Sequence, residues 1–178
     1  MRLCAVQVLL LAGFSALFAC SGENSRETPL GGNSEIDAGR SAPAFSLPDL
    51  SGQIVSLSDF KGQTVVIDFW ATWCPPCVFQ VPILNEIQQT YRDRSVVVLG
   101  ISVDTEGREV VQAFAAEHGV EYRILLGDEA LAREYGAPGF PTLVIVHPDG
   151  SLDPGPPHVG LVEQEDLERQ LAQIPSAT

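Results

Sequence analysis

Apolar and polar positions along this chain fall into short strand-like runs separated by stretches with helical spacing. After a Gly-, Ser- and Asn-rich stretch over residues 21–38, Phe45-Ser46-Leu47-Pro48 and Ile54-Val55-Ser56-Leu57 flank Asp49-Leu50-Ser51-Gly52, the pattern of a β-hairpin. A mostly apolar run over 64–70, interrupted by Asp68, reads as a buried strand and leads into a helical pattern from about Pro75 to Tyr91. A strand over 96–103 and a helix over 107–118, closed by Gly119, come next. A short strand at 124–126, a helix at 129–135, a strand at 142–146, a turn at Pro148-Asp149-Gly150, a strand near Val159 and a helix at 163–172 complete the series. Strands alternating with helices predict parallel pairing, and the last hairpin predicts an antiparallel edge. The expected fold class is α/β, a mixed central sheet flanked by helices with an N-terminal β-hairpin extension.

The N-terminus has a different grain. Met1-Arg2 precedes an apolar stretch from Leu3 to Phe18, which polar residues Ser21 to Asn24 end too soon for a comfortable membrane span, so it reads as a targeting signal. Leu17-Phe18-Ala19-Cys20 resembles a bacterial lipobox, in which Cys20 is acylated and becomes the first mature residue. An ordinary secretory signal with an incidental Cys20 is the alternative. The expected organisation is a lipoprotein-type signal peptide over 1–19, a flexible tether over 20–38 and one domain over 39–178. Lipid on Cys20 would attach the protein to a bilayer, which places it in a bacterial cell envelope facing the periplasm or extracytoplasmic space. Ser21 stands where an aspartate would retain a Gram-negative lipoprotein at the inner membrane, so outer-membrane sorting stays open.

Charge narrows the partners. Loss of residues 1–19, which carry Arg2 and no acid, leaves 9 basic and 23 acidic residues, a formal charge of −14. Such acidity excludes nucleic acid as a natural partner and favours basic ones, although a solvated surface explains it equally well.

The candidate chemistry sits at the junction of the apolar run and the long helix, in Trp73-Cys74-Pro75-Pro76-Cys77. A helix N-terminus stabilises negative charge and lowers a cysteine pKa from about 8.5 toward roughly 7, and only the thiolate attacks disulfides. A second thiol three residues on can close an intramolecular disulfide. With Cys4 in the signal and Cys20 in the anchor, Cys74 and Cys77 are the thiols left to the domain. A zinc site would need a further pair of ligands, and His118, His147 and His158 lack ligand spacing, so neither a metal nor another cofactor is expected.

The run Ile67-Asp68-Phe69-Trp70-Ala71-Thr72-Trp73-Cys74-Pro75-Pro76-Cys77, with Gly139-Phe140-Pro141-Thr142 later, resembles the thioredoxin superfamily. Within it the chain is similar to the membrane-anchored TlpA/ResA-like thiol-disulfide oxidoreductases, over roughly residues 38–175. The resemblance implies a thioredoxin-like fold and exchange of a disulfide with protein thiol substrates, with electrons from a membrane thiol carrier. Cys74 is the candidate nucleophile and Cys77 the resolving thiol. Pro75 and Pro76 suit a first helical turn, and Pro82 is expected to kink the helix. By resemblance Pro141 is a cis-proline facing the cysteine pair, whose flanking backbone pairs with an extended client, and Phe140 either selects clients or fills core. Trp73 belongs to the rim and Trp70 to the core. Asp68, a carboxylate in an apolar strand, is the candidate proton relay for Cys77, or else an outward-facing or hydrogen-bonded Asp. Gln80 departs from the glutamate that many relatives place three residues after the second cysteine, and an amide cannot take up a proton.

Three functions compete. A protein thiol-disulfide oxidoreductase, acting as a reductant for substrates such as apocytochromes c, fits the vicinal pair. A thiol peroxidase would need a peroxidatic cysteine in an activating Thr/Arg pocket, although the Ala42-Pro43-Ala44-Phe45 opening also occurs in redoxins. A copper-binding lipoprotein usually needs a three-residue gap between cysteines and a placed histidine.

Overall fold

Seven strands and four helices form over residues 39–174, the part of the chain that the computed structural model describes. The signal peptide, Cys20 and the tether expected over 1–38 lie outside the described residues. β1 (Ser46–Pro48) and β2 (Ile54–Ser56) pair antiparallel as the hairpin pattern predicts. Asp49 shapes their turn, its carboxylate accepting hydrogen bonds from the Ser51 and Gln53 N–H groups.

The remaining strands are β3 (Thr64–Trp70), β4 (Val96–Ser102), β5 (Arg123–Leu126), β6 (Thr142–Val146) and β7 (His158–Val159). They make one sheet in the order β5-β4-β3-β6-β7. Every residue of central β3 is buried, which is why its sequence, Thr64 and Asp68 apart, is apolar on both faces rather than an alternation.

β3, β4 and β5 run parallel, with α1 (Cys77–Tyr91) and α2 (Arg108–His118) carrying the crossovers. Both crossovers step in the same direction across the sheet, so right-handed connection puts α1 and α2 on one face. The packing agrees: Trp70 stacks on Phe114 of α2 at 4.7 Å, while its neighbour Phe69 meets Tyr135, just after α3 (Glu129–Glu134), at 5.3 Å on the other face. α4 (Gln164–Leu171) joins the first face, where its Leu167 and Leu171 share a core with Leu84 and Ile87 of α1 and with Val66, Val98 and Leu143 of the sheet.

β6 departs from the parallel pairing expected of a strand that follows a helix. It lies antiparallel to β3, from Phe69 opposite Thr142 to Val65 opposite Val146. α3 has six residues and so spans about 9 Å. The chain leaves β5 at the end of the sheet where β3 also finishes and re-enters there, with Thr142 opposite Phe69, so β6 runs back along β3. The β6–β7 pairing is antiparallel as predicted.

α1 starts at Cys77 rather than near Pro75, because each proline disfavours helical backbone in the residue before it. It then runs unbroken through Pro82 to Tyr91. No helix among the described residues is long and apolar enough to cross a membrane.

Candidate active site

The loop from β3 to α1 carries the redox pair, and the neighbouring strand holds it. Thr72 donates from its N–H (3.0 Å) and its hydroxyl (2.6 Å) to the Asp104 carboxylate, which also accepts from the Ser102 hydroxyl at 2.7 Å. Parallel pairing of β3 with β4 brings the C-terminal ends of both strands side by side, so residues 32 apart in sequence meet there. Sequence reasoning passed over Asp104; a polar trio just beyond two adjacent parallel strands was the available signal.

Beyond Thr72 the chain turns, with Cys74 N–H donating to the Ala71 carbonyl and Cys77 N–H to the Cys74 carbonyl, each at 3.1 Å. Cys74 and Cys77 are joined as a disulfide with their Cα atoms 5.4 Å apart. Both are buried, at 4% and 2% exposure, yet they are not equivalent. Cys74 lines a groove of about 500 Å³, and Cys77, the first residue of α1, does not. Trp73, Pro75 and Pro76 line the same groove from the cysteine side, and Ala137, Pro138, Gly139 and Phe140 line it from the loop before β6. Its charged members are Glu129 and Arg133 of α3, which pair with each other at 3.2 Å. The approach to Cys74 is thus apolar and without net charge in a strongly acidic protein.

Trp73 is 57% exposed, and Phe140, half-buried, meets it edge-on with centroids 5.8 Å apart. Phe140 therefore belongs to the groove wall rather than to the core alone. The Phe140–Pro141 peptide is cis, as the resemblance implies. Pro141 itself is buried and does not line the groove, and its carbonyl accepts from Gly160 N–H at 2.8 Å. The backbone that faces the groove beside the cysteines is that of Ala137 to Phe140.

Asp68 faces inward, not outward. It is 1% exposed, lies opposite Gly100 of β4 and Leu143 of β6, and its Oδ1 has no hydrogen-bond partner within the protein. Burial pushes its pKa from 3.8 up to about 7, because the charged form loses its hydration and gains no cation. Tyr122 is pushed well above its ordinary range by burial and, secondarily, by the Asp68 charge. Gln80 is fully buried, and its amide meets the backbone of Val162 both ways: Oε1 accepts from the N–H at 2.9 Å and Nε2 donates to the carbonyl at 3.4 Å. Gln80 is thus a clamp between α1 and the chain after β7.

The histidines take separate places. His118 packs on Phe114, His147 pairs with Asp153 at 2.9 Å, and His158 bonds Gln170 at 2.6 Å. Among the described residues no group of three or more His, Cys, Asp or Glu side chains converges as metal ligands would.

Comparison with known proteins agrees with this geometry. The pattern of the AhpC/TSA family matches residues 38–153. The chain is 34% identical over 137 residues to the thioredoxin-like protein YneN of Bacillus subtilis, covering 76% of this chain and 79% of that one. It is 31% identical over 140 residues to the thiol-disulfide oxidoreductase ResA of Geobacillus kaustophilus, covering 78% and 79%. Among solved structures, a candidate thiol:disulfide interchange protein DsbE from Chlorobium tepidum superposes with a TM-score of 0.70 at 32% identity, covering 76% of this chain and 96% of that one. A thioredoxin-like sheet that presents a Cys-Pro-Pro-Cys disulfide opposite a cis-proline loop, with relatives of this kind, makes the chain a member of the AhpC/TSA family and a TlpA/ResA-like thiol-disulfide oxidoreductase.

Proposed function

We propose that this oxidoreductase works outside the cytoplasm, held to a bacterial membrane by lipid on Cys20, and reduces disulfides in selected envelope proteins such as apocytochromes c. The observation that carries the division of labour is that Cys74 alone of the pair opens onto the groove. In this reading the Cys74 thiolate attacks one sulfur of a client disulfide, and the other client sulfur leaves as a thiol after taking a proton. Cys77 then gives its proton to Asp68 and attacks Cys74, which frees the second client thiol and leaves the Cys74–Cys77 disulfide. A membrane thiol carrier returns two electrons and two protons to restart the cycle. Asp68 suits the relay because a carboxyl titrating at about 7 can take up and release a proton near neutral pH. Trp73, Pro75, Pro76 and Phe140 would grip apolar residues beside the client cysteine. The cis Phe140–Pro141 bond would expose main chain for sequence-tolerant pairing.

Cys77→Ser should accumulate mixed disulfides with client proteins, and Cys74→Ser should accumulate none. Trapping by Cys74→Ser instead would reverse the assignment, and equal trapping by both would refute it. The direction is tested by equilibrating the pair against glutathione buffers and weighing alkylated thiols, where a potential close to −120 mV would mark an oxidant instead. Anchoring is tested by fractionation: Cys20→Ala should release the protein from membranes, and unchanged membrane association would reject the lipid.

A further inference from the structure

Three buried side-chain atoms among the described residues lack a partner within the protein, and two of them lie two positions apart on β3: Asp68 Oδ1 and Trp70 Nε1. Residues two apart on a strand face the same side, so an unmet acceptor and an unmet donor share one face of the central strand. Gly100 of β4 is the neighbour they share, the register partner of Asp68 and the residue under the Trp70 indole. A Cβ added at Gly100 would stand 2.9 Å from Trp70 Nε1 and 2.8 Å from a ring carbon of Tyr122. The indole N–H therefore leans back over the glycine that lies directly opposite Asp68, and Tyr122 closes the other side. The indole nitrogen can only donate, the ionised carboxylate can only accept, and a buried polar pair of this kind is regularly bridged by one ordered water.

We propose that Trp70 is a positioning residue for Asp68, its indole N–H and the Asp68 carboxyl sharing one buried water above Gly100 that presents a donor to the carboxylate. The proposal rests on the reading of Asp68 as the proton relay and says what supports the relay's charged form. Among the described residues no basic side chain is buried to do that work. The titratable neighbours on this face are Tyr122, with Glu121 and Arg123 on either side of it in the chain, and Cys77 at the head of α1. His118 reaches Trp70 only through the ring of Phe114. Small size at Gly100 is then a requirement of the proton site rather than of the strand, since any Cβ there would displace the indole or the water.

The test uses the oxidised protein, in which no thiol titrates, and follows the Asp68 carboxyl carbon and the two indole N–H resonances by NMR across the pH range. In the wild type the Trp70 indole signal should move with the Asp68 midpoint, and the Trp73 indole, which is exposed, should not. Asp68→Asn should abolish that movement. Trp70→Phe should raise the Asp68 midpoint by about one pH unit, the effect of losing one hydrogen bond to a charged group. A Trp70 indole signal that stays flat while Asp68 titrates would overturn the proposal even if Trp70→Phe fails to fold. So would an unmoved Asp68 midpoint in a folded Trp70→Phe protein. The relay reading fails separately: if Asp68→Asn leaves the pH dependence of client reduction unchanged, Asp68 does not serve Cys77, whatever its tie to Trp70.

Discussion

Replacing Asp68 by Asn should make the protein more stable, by an amount that grows with pH. The carboxyl titrates at about 7 in the fold against 3.8 in a model peptide, and burial without a cation is the cause. The folded protein therefore keeps a proton that the unfolded chain releases above about pH 4. Proton binding favours the fold fully below that point, and the advantage is lost as pH rises to about 7. The gap is roughly three pH units, each worth about 1.4 kcal/mol, so the carboxylate costs the fold ~4 kcal/mol at alkaline pH. Asn has nearly the same shape and never ionises. Urea unfolding of the oxidised wild type and of Asp68→Asn, run from about pH 4.5 to about pH 8.5, should show a stability difference that widens by about 1.4 kcal/mol per pH unit until near 7 and then levels off. A difference that stays constant across that range would refute the reasoning, because it would mean that the carboxyl titrates alike in folded and unfolded chains.

Gln80→Glu keeps an acceptor for the Val162 N–H but loses the donor and buries a charge. It should cost about 2–4 kcal/mol near pH 8 and less near pH 5, where a protonated carboxyl can again donate to the Val162 carbonyl. Melting temperatures at the two pH values check this, and an equal loss at both would contradict it. Asp104→Ala strips Thr72 and Ser102 of their acceptor and should lower stability by about 2–3 kcal/mol, with a slower insulin-reduction rate as the Cys74 loop loosens. Asp104→Asn should recover part of both, read by urea midpoints and insulin turbidity.

Much of this architecture is legible in the sequence because its determinants are local. The apolar run 64–70, the helical spacing after Cys77 and the Asp49-Leu50-Ser51-Gly52 turn each carry their own signal, and the Cys-Pro-Pro-Cys motif marks the reacting sulfurs. What escapes the sequence depends on long-range closure. The antiparallel seat of β6 follows from where the chain re-enters the sheet, opposite Phe69 at the end of β3, which no local pattern marks. Asp104 reaches Thr72 across two parallel strands, and Gln80 finds Val162 82 residues away. Pro141 is read correctly as cis, but that it is buried, with its carbonyl accepting from Gly160 just past β7, is set by distant chain. Asp68 stands out by its type alone, whereas the glycine that gathers Trp70 and Tyr122 beside it is an unmarked residue of an adjacent strand.

The two margins of the central sheet are blunt. β7 is two residues long, and β5 is met on its outer side by the bridge from Asp49 to Leu125. A bare strand at a sheet edge is open to any extended chain that can zip onto it and stay there. With β7 this short and β5 bridged by Asp49, the described sheet offers a visiting chain little free edge to linger on.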